Sequence, residues 1–268
     1  MKSRIKKLFP EIIRFWRLFK FEFKKREKIN RTNWGFLFAG NKLMSTGLFE
    51  TKETKLIRKL LKDVDLFINI GANIGYYCCH ALNLGKKVIA FEPMPNNLYF
   101  LYKNIEINNW NNSIQVFPVG LGNKNGIEKI YGDNTGASLI KGWGNFEETF
   151  QTNISCFKAD TLLQNIINNK KCLFLIDVEG FEYDVLLGAK SLISMDNSPV
   201  WIIEIMMIEY HSKGKPLNTK FIKTFDLFYD NSYKVYDIEN NLKLINREFL
   251  IEKYNSKKYN SINFLIKK

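Results

Sequence analysis

Two glycines and a distant glutamate form a pattern that suits the binding of a nucleoside. The run FINIGANIGYY (67–77) places Gly71 and Gly75 directly after a short apolar segment, where a strand would turn into a helix. Glu92 stands 21 residues beyond Gly71, at the end of the next apolar segment. A carboxylate at this spacing can bind both hydroxyls of an adenosine ribose. Nicotinamide dinucleotide folds share the arrangement but carry a further glycine where Asn73 stands here, so the pattern favours a cofactor without a pyrophosphate.

Four further side chains could handle a proton at the same edge of a sheet. Asp177 ends the apolar run CLFLID, Glu179 follows two residues later, and Glu204 closes a second apolar run. An alcohol becomes a useful nucleophile when a positioned base takes its proton, and Asp177 is the first candidate for that base. Glu179 could bind hydroxyls of an acceptor, or it could hold a divalent metal ion together with Asp177. His211, in the following loop, is the alternative base, although a single loop histidine is also a common surface residue.

Alternating strand-like and helix-like segments place these residues in a sheet that is covered by helices on both faces. Short apolar runs without alternation predict buried strands, and runs with three- and four-residue spacing predict helices. The predicted strands are 65–70, 87–91, 113–118, 172–177, 199–205, 233–238 and 261–266. The predicted helices are 53–61, 75–84, 95–108, 182–193 and 220–230. The fold class is therefore α/β, with a doubly wound, mostly parallel sheet.

Residues 120–160 interrupt this alternation. Seven glycines punctuate the segment, and GIEKIYG (126–132) is typical of a hairpin strand. We expect the segment to cover the carboxyl edge of the sheet, where ligands bind in such folds. Trp143 and Tyr131 within it are candidates for stacking on a sugar ring.

The 268 residues carry a formal charge of +13, and the excess is concentrated at one end. Residues 1–28 hold eleven lysines and arginines against three glutamates, a net charge of +8. The rest of the chain is only mildly basic, which disfavours a nucleic-acid partner, because such proteins more often carry their charge across the catalytic face. No run reaches the ~18 to 20 apolar residues that a membrane-spanning helix needs.

The cysteines and histidines do not suggest a zinc site. The four cysteines include no C-x-x-C pair, and only two histidines are available as further ligands. Reduced thiols in the cytoplasm are the natural interpretation of such cysteines. His80, inside a predicted helix, is expected to be structural.

The basic N-terminus has the pattern of an amphipathic helix. In residues 4–25, apolar side chains recur at spacings of three and four, and lysines and arginines fill the opposite face. The apolar stripe could pack on the domain, or it could lie on an anionic membrane with Trp16 in the headgroup layer. We therefore divide the chain into a basic helical extension, 1–49, and an α/β domain, 50–268. The protein is expected in the cytoplasm, with the inner membrane face as a peripheral location.

Several ordered motifs resemble those of one family. GANIGYY, AFEP, TGASL, KADTLL and LIDVEGFEYDVLLGA are similar to segments of the FkbM methyltransferases and cover about residues 60–210. The resemblance implies a class I methyltransferase fold with a Rossmann-like sheet, and S-adenosylmethionine as the cofactor. It assigns Asn69, Gly71, Ala72, Asn73 and Gly75 to the methionine part, Glu92 to the ribose, Pro93 and Met94 to the adenine, and Asp177 to the region of the methyl group. The family usually has Asp where this chain has Asn69, which keeps the hydrogen-bonding shape and loses the charge.

The same resemblance implies an acceptor. FkbM enzymes commonly methylate hydroxyl groups of sugars or of secondary metabolites, so we expect an O-methyltransferase that acts on a sugar, glycan or glycoconjugate. Two alternatives stay open. One is the O-methylation of another small molecule, and the other is an inactive cofactor-binding partner of another enzyme, which the neutral Asn69 keeps open.

Overall fold

The computed structural model describes residues 28–132, 134–144, 151–211 and 214–268. Its strands are β1 (Ile29–Arg31), β2 (Leu37–Ala39), β3 (Leu66–Ile70), β4 (Lys87–Phe91), β5 (Ile114–Phe117), β6 (Gly120–Leu121), β7 (Gly126–Tyr131), β8 (Gln151–Phe157), β9 (Cys172–Ile176), β10 (Val200–Glu204), β11 (Lys234–Asp237), β12 (Lys243–Ile245) and β13 (Asn263–Lys267). Its α-helices are α1 (Lys42–Ser45), α2 (Thr51–Leu60), α3 (Tyr76–Asn83), α4 (Pro95–Glu106), α5 (Ala159–Leu163), α6 (Glu182–Leu187), α7 (Lys190–Ile193), α8 (Phe221–Tyr229) and α9 (Arg247–Ser256).

An eight-stranded sheet in the order β12-β11-β13-β10-β9-β3-β4-β5 forms the centre. The five strands from β10 to β5 are parallel, and β13 lies antiparallel between β10 and β11. Every residue of β3 and of β9 is buried, which is why these strands have apolar runs without alternation. The predicted fold class, a doubly wound and mostly parallel α/β sheet, is confirmed.

The winding of the sheet changes direction between β3 and β9. From β3 the chain moves outward to β4 and β5, and it then returns to the other side of β3 as β9. The last residues of these two strands, Ile70 and Ile176, lie side by side in the ladder. The loops that follow them therefore meet above the carboxyl ends of the strands, in the crevice where ligands bind in open α/β sheets.

Apolar side chains fill both faces of the sheet. On one face α6 to α9 cover a cluster that includes Trp201, whose ring stacks on Phe174 with centroids 4.2 Å apart. On the other face α2, α3 and α4 contribute Ile57, Tyr76 and Leu101. All four cysteines are buried free thiols within these layers or the insertion beside them.

The helix predicted over 182–193 is two helices in the structure, α6 and α7. Gly188 lies between them, and a Cβ at this position would stand 2.0 Å from the carbonyl oxygen of Gly122. The carbonyl of Gly188 also accepts a hydrogen bond from the backbone N–H of Asp160 at 2.9 Å. Contact with a distant part of the chain, which helical periodicity does not reveal, ends α6.

Residues 28–49 differ from the helical extension that was expected there. Strands β1 and β2 form an antiparallel hairpin, and Phe38 is fully buried with its ring 5.8 Å from that of Tyr76. The Asn104 amide of α4 fastens the hairpin, because it accepts from the Ala39 N–H at 2.7 Å and donates to the Ala39 carbonyl at 3.1 Å. By its packing this part of the chain belongs with the α/β domain.

The amphipathic helix predicted for residues 4–25 lies outside the described residues. Within the described part of the chain, no helix is long and apolar enough to cross a bilayer.

The glycine-rich insertion forms a separate three-stranded sheet in the order β6-β8-β7. Its strands β7 and β8 are antiparallel, as the hairpin pattern predicted for 126–132 suggests. Ile130 and Ile154 of this sheet pack on Met94, which follows the end of β4. The insertion therefore lies over the carboxyl edge of the main sheet, where it was expected.

Candidate active site

A pocket of about 590 Å³, including its open mouth, lies above the switch point between β3 and β9. The loops after β3, β4, β5 and β9 form the floor and walls, and the insertion contributes apolar side chains above them. The polar and glycine positions that line it are Gly71, Asn73, Glu92, Asn97, Gly120, Thr135, Asp177 and Glu179.

Gly71 allows the two strand ends to approach each other. Its φ of +81° is unfavourable for other residues, and a Cβ here would stand 1.9 Å from the carbonyl oxygen of Asp177. Any side chain at residue 71 would therefore push the glycine loop away from the end of β9. The missing Cβ brings the predicted cofactor loop and the predicted base to one place.

The glycine loop has no backbone donor free for a phosphate. Each N–H from Gly71 to Gly75 already donates a hydrogen bond inside the protein. The acceptors are the Phe91 carbonyl, which accepts two of these bonds, the Glu92 carboxylate, the side chain of Asn73 and the Ala72 carbonyl. A pyrophosphate site at such a loop depends on free N–H groups, so this loop suits a cofactor without one.

Glu92 is a buried carboxylate that can still accept a hydrogen bond from a group in the pocket. It is 4% exposed, and it accepts hydrogen bonds from the Asn73 N–H at 2.8 Å, the Met94 N–H at 2.9 Å and the Asn97 side chain at 3.1 Å. Burial raises the pKa of Glu92, and the three donors act in the opposite direction. A carboxylate has about four lone-pair sites, so one remains for a hydroxyl in the pocket.

Three residues assigned to the cofactor by resemblance do not line this pocket. Ala72 is buried inside the loop, and Gly75 begins α3, where a Cβ would stand 2.4 Å from Leu101. Asn69 is 2% exposed, and its amide nitrogen donates to Cys78 Sγ at 3.4 Å, while its side-chain oxygen has no hydrogen-bond partner among the described residues. These three residues support the loop from beneath, whereas Gly71, Asn73, Glu92, Pro93 and Met94 line the pocket itself.

Asp177 follows β9 directly and lines the pocket between the glycine loop and Glu179. Burial raises the pKa of Asp177 well above its usual value, and the negative charges of Glu179 and Glu50 raise it further. Glu204 ends the adjacent strand β10, where burial and the charge of Asp177 raise its pKa as well. Acids that oppose each other's ionisation hold protons at higher pH, so Asp177 has the proton affinity that a general base needs.

Glu179 is held in place by the insertion. Its backbone has a φ of +54°, and its carbonyl accepts a hydrogen bond from the Ser138 hydroxyl at 2.7 Å. The Trp143 indole N–H donates to its carboxylate at 2.9 Å, and burial raises the pKa of Glu179. Trp143 is only 4% exposed and packs on Gly180, so its rings are closed to a sugar, and it positions Glu179 instead.

His211 lies behind Trp143 and does not line the pocket. Its Nε2 lies 2.7 Å from the Glu209 carboxylate, and its ring meets the Trp143 ring edge-on at 5.8 Å. The other histidine, His80, is fully buried among the aromatic rings beside α3, and burial lowers its pKa to about 3. Of the two candidate bases, Asp177 is therefore the one at the pocket.

Sequence analysis missed two residues of the site. Asn97 supports the Glu92 carboxylate from the first turn of α4, five residues further along the chain. Glu50 comes directly before α2, where the Tyr77 hydroxyl donates to it, and its charge acts on Asp177. An amide shortly after a strand-end acid was a usable signal for Asn97, whereas nothing in the sequence places Glu50 beside Asp177.

The described residues show no metal centre. Within them, no three His, Cys, Asp or Glu side chains are arranged to hold a metal ion. The pocket lining, as far as the structure describes it, also contains no lysine or arginine. None of the described lining residues therefore neutralises its acids.

Comparison with known proteins identifies one family. Residues 69–235 match the model of the methyltransferase FkbM domain. No curated protein sequence matches the chain significantly.

Several solved methyltransferase structures are similar in fold. The methyltransferase FkbM from Methylobacillus flagellatus KT has a TM-score of 0.46 at 17% identity over 77% of this chain, which spans only 44% of the length of that one. The precorrin-6y C5,15-methyltransferase from Geobacter metallireducens GS-15 has a TM-score of 0.45 at 12% identity, covering 86% of this chain and 93% of its own. An O-methyltransferase from Bacillus cereus in complex with SAH has a TM-score of 0.40 at 14% identity, with 80% and 79% coverage.

The described residues fit S-adenosylmethionine on two counts. Its sulfonium is a cation, and a pocket with Asp177 and Glu179 and without a lysine or arginine favours a positive ligand. Its adenosine carries ribose hydroxyls and no pyrophosphate, which agrees with the free acceptor site on Glu92 and with the occupied donors of the glycine loop.

We expect Glu92→Ala to weaken the binding of S-adenosylmethionine and of its demethylated product by roughly 10- to 100-fold. Each charge-assisted hydrogen bond to the carboxylate contributes ~1.5 to 3 kcal/mol. Isothermal titration calorimetry measures both affinities, and Glu106→Ala, an exposed glutamate at the end of α4, is the matched control. Unchanged affinity in a variant that melts like the parent protein would contradict the role of Glu92.

Proposed function

Since the chain belongs to the FkbM family of S-adenosylmethionine-dependent methyltransferases, with their class I fold, we propose that it methylates a hydroxyl oxygen of a sugar, glycan or glycoconjugate. The observation that carries this proposal is the position of Asp177, a carboxylate with a raised pKa in the wall of the cofactor pocket. An oxygen acceptor needs a base at this place, because an alcohol is a poor nucleophile while it keeps its proton.

Asp177 takes the proton of the acceptor hydroxyl in this proposal. The cofactor, when bound, supplies a methyl group that is already activated by its sulfonium. The protein has to hold the hydroxyl oxygen in line and to accept its proton. A cation in the pocket stabilises the ionised form of Asp177, so cofactor binding and readiness of the base favour each other.

The charges around Asp177 support a neutral, hydroxyl-rich acceptor. Glu179 and Glu204 stand beside it, and the pocket lining described by the structure contributes no lysine or arginine. An acceptor that carries a phosphate or carboxylate near the reacting oxygen would be repelled. Hydroxyl groups instead donate hydrogen bonds to carboxylates, and Glu179 is held by Trp143 in a position to accept them.

O-methylation of another small-molecule hydroxyl is the second candidate. The same charges favour it, since they select for a neutral hydroxyl and not for a sugar ring. Contact of residues 4–25 with an anionic membrane and a cytoplasmic location remain predictions beside both candidates.

The acceptor class can be tested by incubating the protein with S-adenosylmethionine and a panel of acceptors. We expect one methyl group to be gained by neutral sugars or glycans with free hydroxyls, as read by mass spectrometry. Acceptors with matched skeletons whose reacting position carries an amine or a carboxylate are the controls. Transfer to these controls alone would contradict O-methylation, and transfer only to hydroxyls without a sugar would favour the second candidate.

We expect Asp177→Asn to lower turnover by ~10² to 10⁴, the usual contribution of a positioned base. The amide keeps the size of the side chain, so cofactor affinity should change far less than turnover. Single-turnover kinetics with His211→Ala as the companion variant separate the two candidate bases. If Asp177→Asn kept the turnover of the parent protein and His211→Ala abolished it, His211 would be the base instead of Asp177.

The pH dependence of kcat/KM should reflect the raised pKa of Asp177. A base must be ionised, so acidification stops the reaction, and the raised pKa of Asp177 places this loss above the usual range of a carboxylate. Glu179→Gln removes the neighbouring charge that raises this pKa most, so the acidic limb of kcat/KM should move to lower pH. Glu106→Gln, an exposed change of equal charge, should leave the limb in place. A limb that does not move with Glu179→Gln would exclude Asp177 as the titrating group.

A further inference from the structure

The net positive charge of the protein lies entirely in its first 62 residues. Residues 1–62 contain 18 lysines and arginines against five glutamates, whereas residues 63–268 contain 22 basic and 22 acidic residues. The described part of the basic region, 28–62, alone carries eight cations and two glutamates. Within the α/β domain, the hairpin β1–β2, α1 and α2 thus form a strongly cationic region, whereas residues 63–268 are electroneutral.

The outer face of α2 is a row of lysines. Lys52, Lys55, Lys59 and Lys62 recur at three- and four-residue spacing and are exposed, while Ile57 on the opposite side is buried in the core. Lys52 donates to the carbonyl of Glu239. The other three lysines are exposed and form no ion pair with an acidic side chain among the described residues. A lysine row of this kind is a surface for a polyanion and contributes little to the fold.

Two leucines near the cationic residues are exposed to solvent. Leu43 of α1 is 55% exposed, and Leu48 in the turn that follows is 65% exposed. The turn is fixed on the hairpin, because the Asn33 side chain donates to the Thr46 carbonyl at 2.7 Å and Trp34 packs on Gly47. Both leucines are therefore presented by ordered backbone beside the cationic residues.

The cationic surface also borders the pocket. The Asn104 amide links Ala39, at the end of β2, to the Ile74 carbonyl in the glycine loop. Two residues after Leu48 comes Glu50, whose charge acts on Asp177. The pocket is therefore near the Leu48 end of this surface, whereas Lys62, whose carbonyl accepts a hydrogen bond from the Lys86 ammonium just before β4, lies at the other edge of the sheet.

We propose that the exposed face of residues 28–62, the docking face, binds an anionic lipid bilayer. Lysines and arginines near an anionic leaflet are attracted to it, and exposed leucines can enter its headgroup region. The attraction of several cations adds, and salt weakens it within a Debye length. A nucleic acid would use the same cations, but it offers no apolar layer for Leu43 and Leu48, which is why the bilayer is favoured.

The lysine row can be tested on the full chain with Lys55→Gln, Lys59→Gln and Lys62→Gln combined. We expect its partition onto vesicles of phosphatidylcholine with roughly a third phosphatidylserine to fall on the order of a hundredfold at low salt. The matched control combines Lys190→Gln, Lys223→Gln and Lys258→Gln, which removes the same charge from exposed positions of α7, α8 and the end of α9 on the opposite face. Equal loss of binding in the two triple variants, or no loss in either, would overturn the proposal.

The leucines are tested by combining Leu43→Ser and Leu48→Ser. We expect this variant to lose the part of vesicle binding that survives high salt, because that part depends on apolar contact. Ile127→Ser with Leu244→Ser, two exposed aliphatic positions on other strands, is the control and should bind like the parent protein. Melting curves and cofactor affinity verify that every variant is folded, so failure to bind vesicles is distinguished from failure of the enzyme.

Binding to nucleic acid is measured with the same variants as the competing possibility. The bilayer assignment would be overturned if the protein bound duplex DNA or RNA more tightly than vesicles. In that outcome, the lysine variant would weaken nucleic-acid binding and the leucine variant would leave it unchanged. Vesicle binding that falls with both docking-face variants and with neither control supports it.

Discussion

The close approach of two strand ends at Gly71 is the constraint on which the site depends. A Cβ at this residue would stand 1.9 Å from the Asp177 carbonyl, so the loop after β3 and the chain after β9 meet only because residue 71 has no side chain. This contact brings Glu92, the proposed ribose ligand, and Asp177, the proposed base, into one pocket. Parallel pairing of β3 and β9 supplies the approach, and glycine removes the steric barrier to it.

The pocket is lined by acidic side chains, whereas the surface formed by residues 28–62 is basic. Acids lie together at the carboxyl edge, where burial raises the pKa values of Asp177, Glu179 and Glu204, and neighbouring negative charges raise those of Asp177 and Glu204 further. Cations are concentrated in residues 28–62, which carry eight lysines and arginines against two glutamates. The first arrangement supports the proposed neutral acceptor, and the second supports the proposed anionic partner outside the pocket.

Much of the α/β core could be predicted from local patterns. The runs at 87–91 and 172–177 are strands almost to the residue, because strands buried on both faces are continuously apolar. The hairpin at 28–49 was missed, since its strands have three residues each and are held by the distant Asn104. The break at Gly188 was missed for a similar reason, because a contact with Gly122 and not the helical period ends α6.

The sequence by itself determined the doubly wound sheet, the glycine loop and the strand-end acids, because these follow from residue type and from spacing along the chain. Only the tertiary structure decided which of them share the pocket. It placed Asn69 beneath the loop, His211 behind Trp143, and Asp177 in the wall with Glu179 held by the insertion. The placement of Glu179 depends on a contact with Trp143, 36 residues away along the chain, and no local period in the sequence indicates such a contact.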